Sequence, residues 1–262
     1  MDNELALLAR IVREVGSTLT DVDRGHLGTR LKSSRRDMVT AHDRRVQGEL
    51  VERLSREFPG VGFQCEEGDD LRQTSGQRFV IDPIDGTANF VHGTGCSAVS
   101  VALVDGATPQ LGVVFNPFDS ELFAAGRGRG ATLNGEPLPR VPDAELGDSL
   151  VCVGTSPYFP DLFAATMRLL VARAPEFNDI RRDGSAALDC CCVAAARYGL
   201  FFEMSLAPWD FAAGALVATE CGARACTMGG APLTFSDRVS VLVGAPTAVE
   251  QFLAGGDAGG ER

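Results

Sequence analysis

Apolar residues at Leu5, Leu8, Ile11, Val12 and Val15 recur three and four positions apart, which predicts an amphipathic helix over residues 3–15. The spacing of Val46, Leu50, Val51 and Leu54 predicts a second helix over residues 40–58, stopped by Pro59-Gly60. Residues 16–36 between them are polar and Gly-containing, as a loop or hairpin would be, and carry Arg30, Lys32, Arg35 and Arg36. After residue 60 the pattern shortens to that of strands. Residues 79–81 read as a short buried strand, 97–104 and 110–115 as an antiparallel pair, and 121–125 and 131–133 as its continuation, with Asn134-Gly135 a tight turn. Residues 141–148, with two prolines just before them, divide the chain into lobes of residues 1–145 and 146–262. In the second lobe, strands near 150–154 and 201–203 alternate with helices near 161–174, 185–198 and 210–221, which predicts an α/β arrangement. The tail after Leu253 is Gly-rich and reads as a frayed end.

Composition narrows the function classes. Of 262 residues, 45% are hydrophobic and 23% charged, as in a soluble globular protein. The net charge of -11 and pI of about 4.8 argue against a nucleic-acid binder, which needs a basic face, and against a bare phosphate-binding surface unless local cations reverse the field. Eight cysteines include the consecutive Cys190, Cys191 and Cys192; there is no CxxC pair, and three histidines are too few to suggest a zinc site. Reduced, buried thiols and a cytoplasmic location follow as expectations. No apolar run approaches the ~18 residues of a membrane span, and the charge-free stretch 5–9 is too short for a signal-peptide core.

The most informative segment is Asp82-Pro83-Ile84-Asp85-Gly86-Thr87. A buried strand runs into it, Pro83 fixes one backbone angle, and Gly86 permits a tight turn. Two carboxylates three residues apart can then face one side, and a helix entered at Thr87 would leave its first N–H groups free for an anion. The plainer reading is a capped turn. Upstream, Glu66 follows a strand-like Phe63 and can face inward beside Glu67, whereas Asp69 and Asp70 read as solvated. Asp210 follows Trp209 and opens an apolar helix with Phe211, Ala215 and Leu216, ending at Gly222. Alone it would be an N-cap worth ~1 kcal/mol. Together these carboxylates need counter-charge, and an oxygen-rich set without histidine favours Mg²⁺ or Mn²⁺ over zinc. Residues 126–130, Gly-Arg-Gly-Arg-Gly, lack the ending of a phosphate loop and read as a hairpin connection. His42 reads as a surface or helix-start residue, the cysteine triplet as close helix packing, and Met204 and Trp209 as core or pocket wall.

On these residues the chain resembles the inositol monophosphatase family. IDPIDGTANF (81–90) is similar to its first signature and PWDFAAGALVATECGA (208–223) to its second. RRDGSAALDCCCVAAARYGLFFE (181–203) resembles its substrate-lobe segment, and KSSRRDMVTAHD (32–43) its catalytic loop. The resemblance runs from about residue 5 to 250. It implies a layered α-β-α-β-α sandwich of the inositol monophosphatase and fructose-1,6-bisphosphatase type, a mixed α+β and α/β fold. The N-terminal lobe would carry most metal ligands, and the C-terminal lobe Asp210 and the substrate pocket. It also implies a Mg²⁺-dependent, lithium-sensitive phosphomonoesterase with two or three ions, and a homodimer. Carried over by position, Glu66, Asp82 and the Ile84 carbonyl hold one metal; Asp82, Asp85 and Asp210 hold a second. Gly86 and Thr87 contact phosphate, while Asp43 and Thr87 position the attacking water, Thr87 donating to Asp43. Glu66 and Lys32 join the catalytic set, Lys32 from a basic loop that closes over the site. Asp85, Asp210, Gly184, Ser185, Ala186 and Glu203 line the substrate. Cys65, residues 93–96 and the Arg35-Arg36 pair depart from the family pattern and bear on specificity. The implied substrate is a small phosphate ester, by default inositol 1-phosphate or a related polyol or sugar monophosphate. Alternatives are a nucleoside monophosphate, a 3′-phosphoadenosine phosphate, histidinol phosphate, fructose 1,6-bisphosphate, or a non-catalytic regulatory role on the same fold.

Overall fold

The computed structural model describes residues 3–22, 30–31, 38–68 and 76–256. Lys32, Arg35, Arg36, Asp69, Asp70 and the tail from 257 lie outside the described residues, and with them the readings made for those positions. Helices α1 (Asn3–Ser17) and α2 (Ala41–Glu57) follow the two predicted periodic runs, and Thr40 is the N-cap of α2. Between them β1 (Arg30–Leu31) and β2 (Met38–Val39) pair antiparallel.

The first sheet has seven strands: β3 (Gly62–Cys65), β4 (Gln77–Asp85), β5 (Ala98–Asp105), β6 (Thr108–Asn116), β7 (Glu121–Gly126), β8 (Ala131–Leu133) and β9 (Glu136–Pro137), in that order. All neighbours pair antiparallel except β3 and β4. Because side chains alternate across a strand, each strand feeds two cores. Phe79, Ile81, Val99, Val101, Leu103, Leu111, Val113 and Phe115 pack with α1 and α2. Val80, Ala98, Ala102, Val104, Val114 and Phe123 belong to the other core, which continues into the second half of the chain. Asn134 and Gly135, both at positive φ, turn β8 into β9.

The second sheet runs β11 (Asp179–Arg181), β10 (Leu150–Val153), β12 (Leu200–Leu206), β14 (Val239–Gly244), β13 (Arg224–Cys226). It is mixed: β10 is parallel to β11 and β12, while β14 is antiparallel to β12 and β13. Helices α5 (Ala186–Ala194) and α6 (Pro208–Glu220) pack between the two sheets; α4 (Pro160–Arg173) contacts β12, and α7 (Pro246–Ala254) contacts β14. The result is the α-β-α-β-α layering expected from the resemblance. α6 is apolar all round because both faces are covered, and every residue from Phe211 to Ala218 is buried. Gly112 lets it sit this close, since a Cβ there would lie 2.9 Å from the Ala213 carbonyl oxygen. The cysteine triplet also belongs to helix packing: Cys190 and Cys191 are fully buried in α5, and a Cβ on Gly214 would lie 2.7 Å from that of Cys190. Among the described residues no helix is long and apolar enough to cross a membrane.

Candidate functional site

β4 continues through Asp82, Pro83 and Ile84 to Asp85, four residues beyond the predicted end of the strand. Asp82 turns a carboxylate oxygen back to accept from the Ile84 N–H at 3.0 Å. Gly86 then adopts a left-handed conformation (φ 83°) and starts α3 (Thr87–His92), as the reading at Thr87 expected. A side chain at Gly86 would press within 2.9 Å of the Cys96 carbonyl oxygen and 3.1 Å of that of Gly184, so glycine is required twice over.

The remaining carboxylates arrive from other elements. The parallel register pairs Cys65 with Ile81, and the Glu66 N–H then bonds the Ile81 carbonyl at 3.1 Å, which brings Glu66 beside Asp82. Gln47 of α2 clamps this loop: its side chain donates to the Glu67 carbonyl and accepts from the Glu67 N–H. Asp210 is the third residue of α6, not its N-cap, and accepts from the Ala207 N–H at 2.7 Å. Ser100 of β5 donates to the Trp209 carbonyl at 3.2 Å and ties this helix start to the first sheet. Asp85 reaches the other helix start: one oxygen accepts from the Ser185 hydroxyl at 2.6 Å and the Ala187 N–H at 2.8 Å.

These carboxylates perturb one another. Burial, then the charges of Glu66, Asp85 and Asp210, hold Asp82 well above the usual carboxylate range. Burial likewise raises Asp210, with Asp85 and Glu66 adding and the Arg238 charge opposing. Asp85 is pushed by burial to about 6, against the bonds it accepts from Ser185 and Ala187. An all-oxygen set of this density, with so little opposing positive charge, fits a hard divalent cation.

Asp43 is fully buried at the start of α2. One oxygen accepts from the Thr40 N–H (2.7 Å) and hydroxyl (2.6 Å); the other, Oδ1, is buried without a hydrogen-bond partner. Burial raises Asp43 to about 6, and the charges of Glu66 and Glu67 add to the rise. The expected Thr87-to-Asp43 bond is not made. The Thr87 hydroxyl donates instead to the Ile84 carbonyl at 3.1 Å, because the tight turn at Gly86 brings residues 84 and 87 together. His42 is indeed a helix-start residue, with its ring edge against Phe90.

The predicted substrate wall divides. Ser185 is fully buried with its hydroxyl spent on Asp85, and Ala186 is nearly so, so these two support the site instead of lining it. Gly184 (φ 88°) stays partly open, with Arg182 and Asn89 against it. Glu203 accepts from the Ser156 N–H (2.7 Å) and hydroxyl (3.2 Å), and burial pushes it to about 7. Gly154 is essential to this pose, since a Cβ there would overlap the Glu203 carboxylate. Sequence reasoning missed Gly154, Ser156, Asn89 and Gln47. The Gly-Thr-Ser run at 154–156 just after a strand was the one available signal. A cavity of about 690 Å³ lined by Arg10, Arg53, Glu49 and Glu52 contains none of these residues; there Arg10 pairs with Glu14, Arg53 with Glu14 and Glu49, and Arg56 with Glu52.

Comparisons with known proteins identify what the whole chain is similar to. The profile described as the inositol monophosphatase family matches residues 3–255. An inositol-1-monophosphatase of Bacillus subtilis is 32% identical over 248 residues, 92% of this chain and 93% of the relative. The Nus factor SuhB of Escherichia coli is 35% identical over 220 residues, 83% of this chain and 82% of that protein. The crystal structure of the extragenic suppressor protein suhB from Bartonella henselae superposes with a TM-score of 0.89 at 32% identity, covering 98% of this chain and 100% of that one. Matching structures at 25% identity include one described as an IMPase/NADP phosphatase complexed with Mg²⁺ and phosphate, and SaIMPase-II bound to inositol monophosphate or to 2′AMP. With the family profile matched along nearly its whole length and a relative 32% identical over 92% of the chain, the chain belongs to the inositol monophosphatase family.

Proposed function

We propose that the protein hydrolyses a small phosphate monoester with Mg²⁺, and that its substrate is inositol 1-phosphate or a related polyol or sugar monophosphate. The observation that carries this reading is the convergence of Glu66, Asp82, Asp85 and Asp210, from two strand ends and a helix start, beside the turn into α3. Glu66, Asp82 and the Ile84 carbonyl would hold one ion; Asp82, Asp85 and Asp210 would hold another, with Mn²⁺ an acceptable substitute. When bound, the ions neutralise the phosphate dianion, acidify water and stabilise the leaving alkoxide.

The chain's own groups do the rest. The first N–H groups of α3, at Thr87 and beyond, have no intrahelical partner and can receive phosphate oxygens. Asp43 accepts the proton of the attacking water at Oδ1, the oxygen not committed to Thr40. Its elevated pKa, about 6, suits a general base working near neutrality. Thr87 fixes the turn through its bond to Ile84 and so acts on the water through position. Glu203, anchored by Ser156, accepts hydroxyl hydrogens of the alcohol. In-line displacement keeps water and alcohol on opposite sides of phosphorus.

The ligands named for the neighbouring structures, inositol monophosphate and 2′AMP, support a monoester and keep a nucleoside monophosphate as the alternative. The name Nus factor SuhB supports a second reading, a regulatory role on the same fold. Phosphate release from inositol 1-phosphate, sugar phosphates and nucleoside monophosphates, with and without Mg²⁺, tests the proposal. Mg²⁺-dependent turnover favouring the polyol ester is expected; no turnover on any ester would favour the regulatory reading.

A further inference from the structure

We infer that Cys152, Asp183 and Asp189 form a second cation site, distinct from the four-carboxylate cluster and suited to a thiolate-seeking divalent ion such as Zn²⁺. Cys152 lies on β10, Asp189 in the first turns of α5 and Asp183 in the loop before it. One ligand atom from each lies within 4.8 Å of the other two. A second observation is independent of this spacing: Asp189 is only 2% exposed, and although the Cys152 thiol donates to its carboxylate, its Oδ1 is buried with no hydrogen-bond partner. A buried carboxylate oxygen without a donor is costly, and a cation supplies what it lacks. Asp183 is partly exposed and gives an ion a way in. Its Oδ2 accepts from the Tyr198 hydroxyl, the kind of outer support that orients a metal ligand.

The donor types decide the ion. A thiolate with two carboxylates favours zinc-like cations over Mg²⁺, which takes oxygen ligands. Three protein ligands leave one tetrahedral position open. Binding is a proton exchange without redox change: the Cys152 S–H proton leaves to solvent, as does the proton that burial favours on Asp189. An ion here would tie β10 to the loop whose next residues, Gly184 and Ser185, stand beside Asp85. Asn89 already ties the same loop to the start of α3, donating to the Asp183 carbonyl at 2.8 Å and the Cys96 carbonyl at 2.7 Å. The inference rests on this geometry and not on the phosphatase reading.

The test is titration of the full-length protein with Co²⁺ in excess Mg²⁺, followed by near-ultraviolet absorption. One equivalent of Co²⁺ should produce a thiolate-to-metal charge-transfer band, accompanied by proton release and removed by added Zn²⁺. Cys152→Ser should abolish the band with the fold intact by circular dichroism, and Tyr198→Phe should weaken Co²⁺ binding about tenfold. Absence of the band in the wild-type protein would overturn the inference whatever the variants do. So would a band retained in Cys152→Ser, which would assign it to another of the eight cysteines.

Discussion

Asp43 divides its two oxygens between structure and chemistry, one closing the cap on Thr40 and the other left buried and unbonded. Asp82 has neighbouring carboxylates in place of such a cap. The two should therefore fail differently. Asp43→Asn is expected to keep Mg²⁺ affinity within a few fold while kcat falls by ~10²–10⁴, the scale of a lost general base. Asp82→Asn should lose both, which calorimetric Mg²⁺ titration beside a rate assay will separate. Glu203 supplies a pH signature. With its pKa near 7 it is protonated in acid and accepts fewer hydroxyl bonds, so KM should rise as pH falls through 7. Glu203→Gln should flatten that dependence and leave kcat nearly unchanged. Stability follows the same group. A folded pKa raised above the ordinary value of 4.5 gives a contribution fully present below pH 4.5 and lost as pH rises through about 7. Glu203→Gln should therefore stabilise the protein more at pH 8 than at pH 5, as denaturant titrations at the two values will show.

At the scale of elements, the site depends on how closely α6 approaches the first sheet. Gly112→Ala puts a methyl 2.9 Å from the Ala213 carbonyl oxygen. It should cost about 1–3 kcal/mol by overpacking and also weaken Mg²⁺ binding, because α6 carries Asp210. Unfolding and Mg²⁺ titration of the same variant check both. The glycine-arginine turn of residues 126–130 is the hairpin the sequence suggested, and its N–H groups at Gly128, Arg129 and Gly130 are filled by the Glu220 carboxylate. Such agreements and misses have a common cause. Elements with their own periodicity or turn chemistry, such as α1, α2, β8 and the entry to α3, are legible because local residues determine them. β14 and α7 went unread: their short apolar runs carry no period that separates strand from helix, and β14 pairs with β12, distant in sequence. The metal-ligand candidates were legible as residue types in a resembling motif. Gln47 and Gly154 were not, because their roles exist only across elements, Gln47 against the loop after β3 and Gly154 against Glu203.

For the whole molecule, the layers place strand ends of one sheet against helix starts that also serve the other, so acidic residues distant in sequence share one point. A chain of net charge -11 with four of its acids converging there repels phosphate until cations enter. The measurement that bears most directly on this account is the rate of phosphate release from inositol 1-phosphate as a function of free Mg²⁺, for the wild-type protein and Asp82→Asn. No turnover in EDTA, saturable recovery with Mg²⁺ and loss of that recovery in the variant are the predicted results. Full turnover in metal-free buffer, or an unchanged Mg²⁺ dependence in Asp82→Asn, would contradict it.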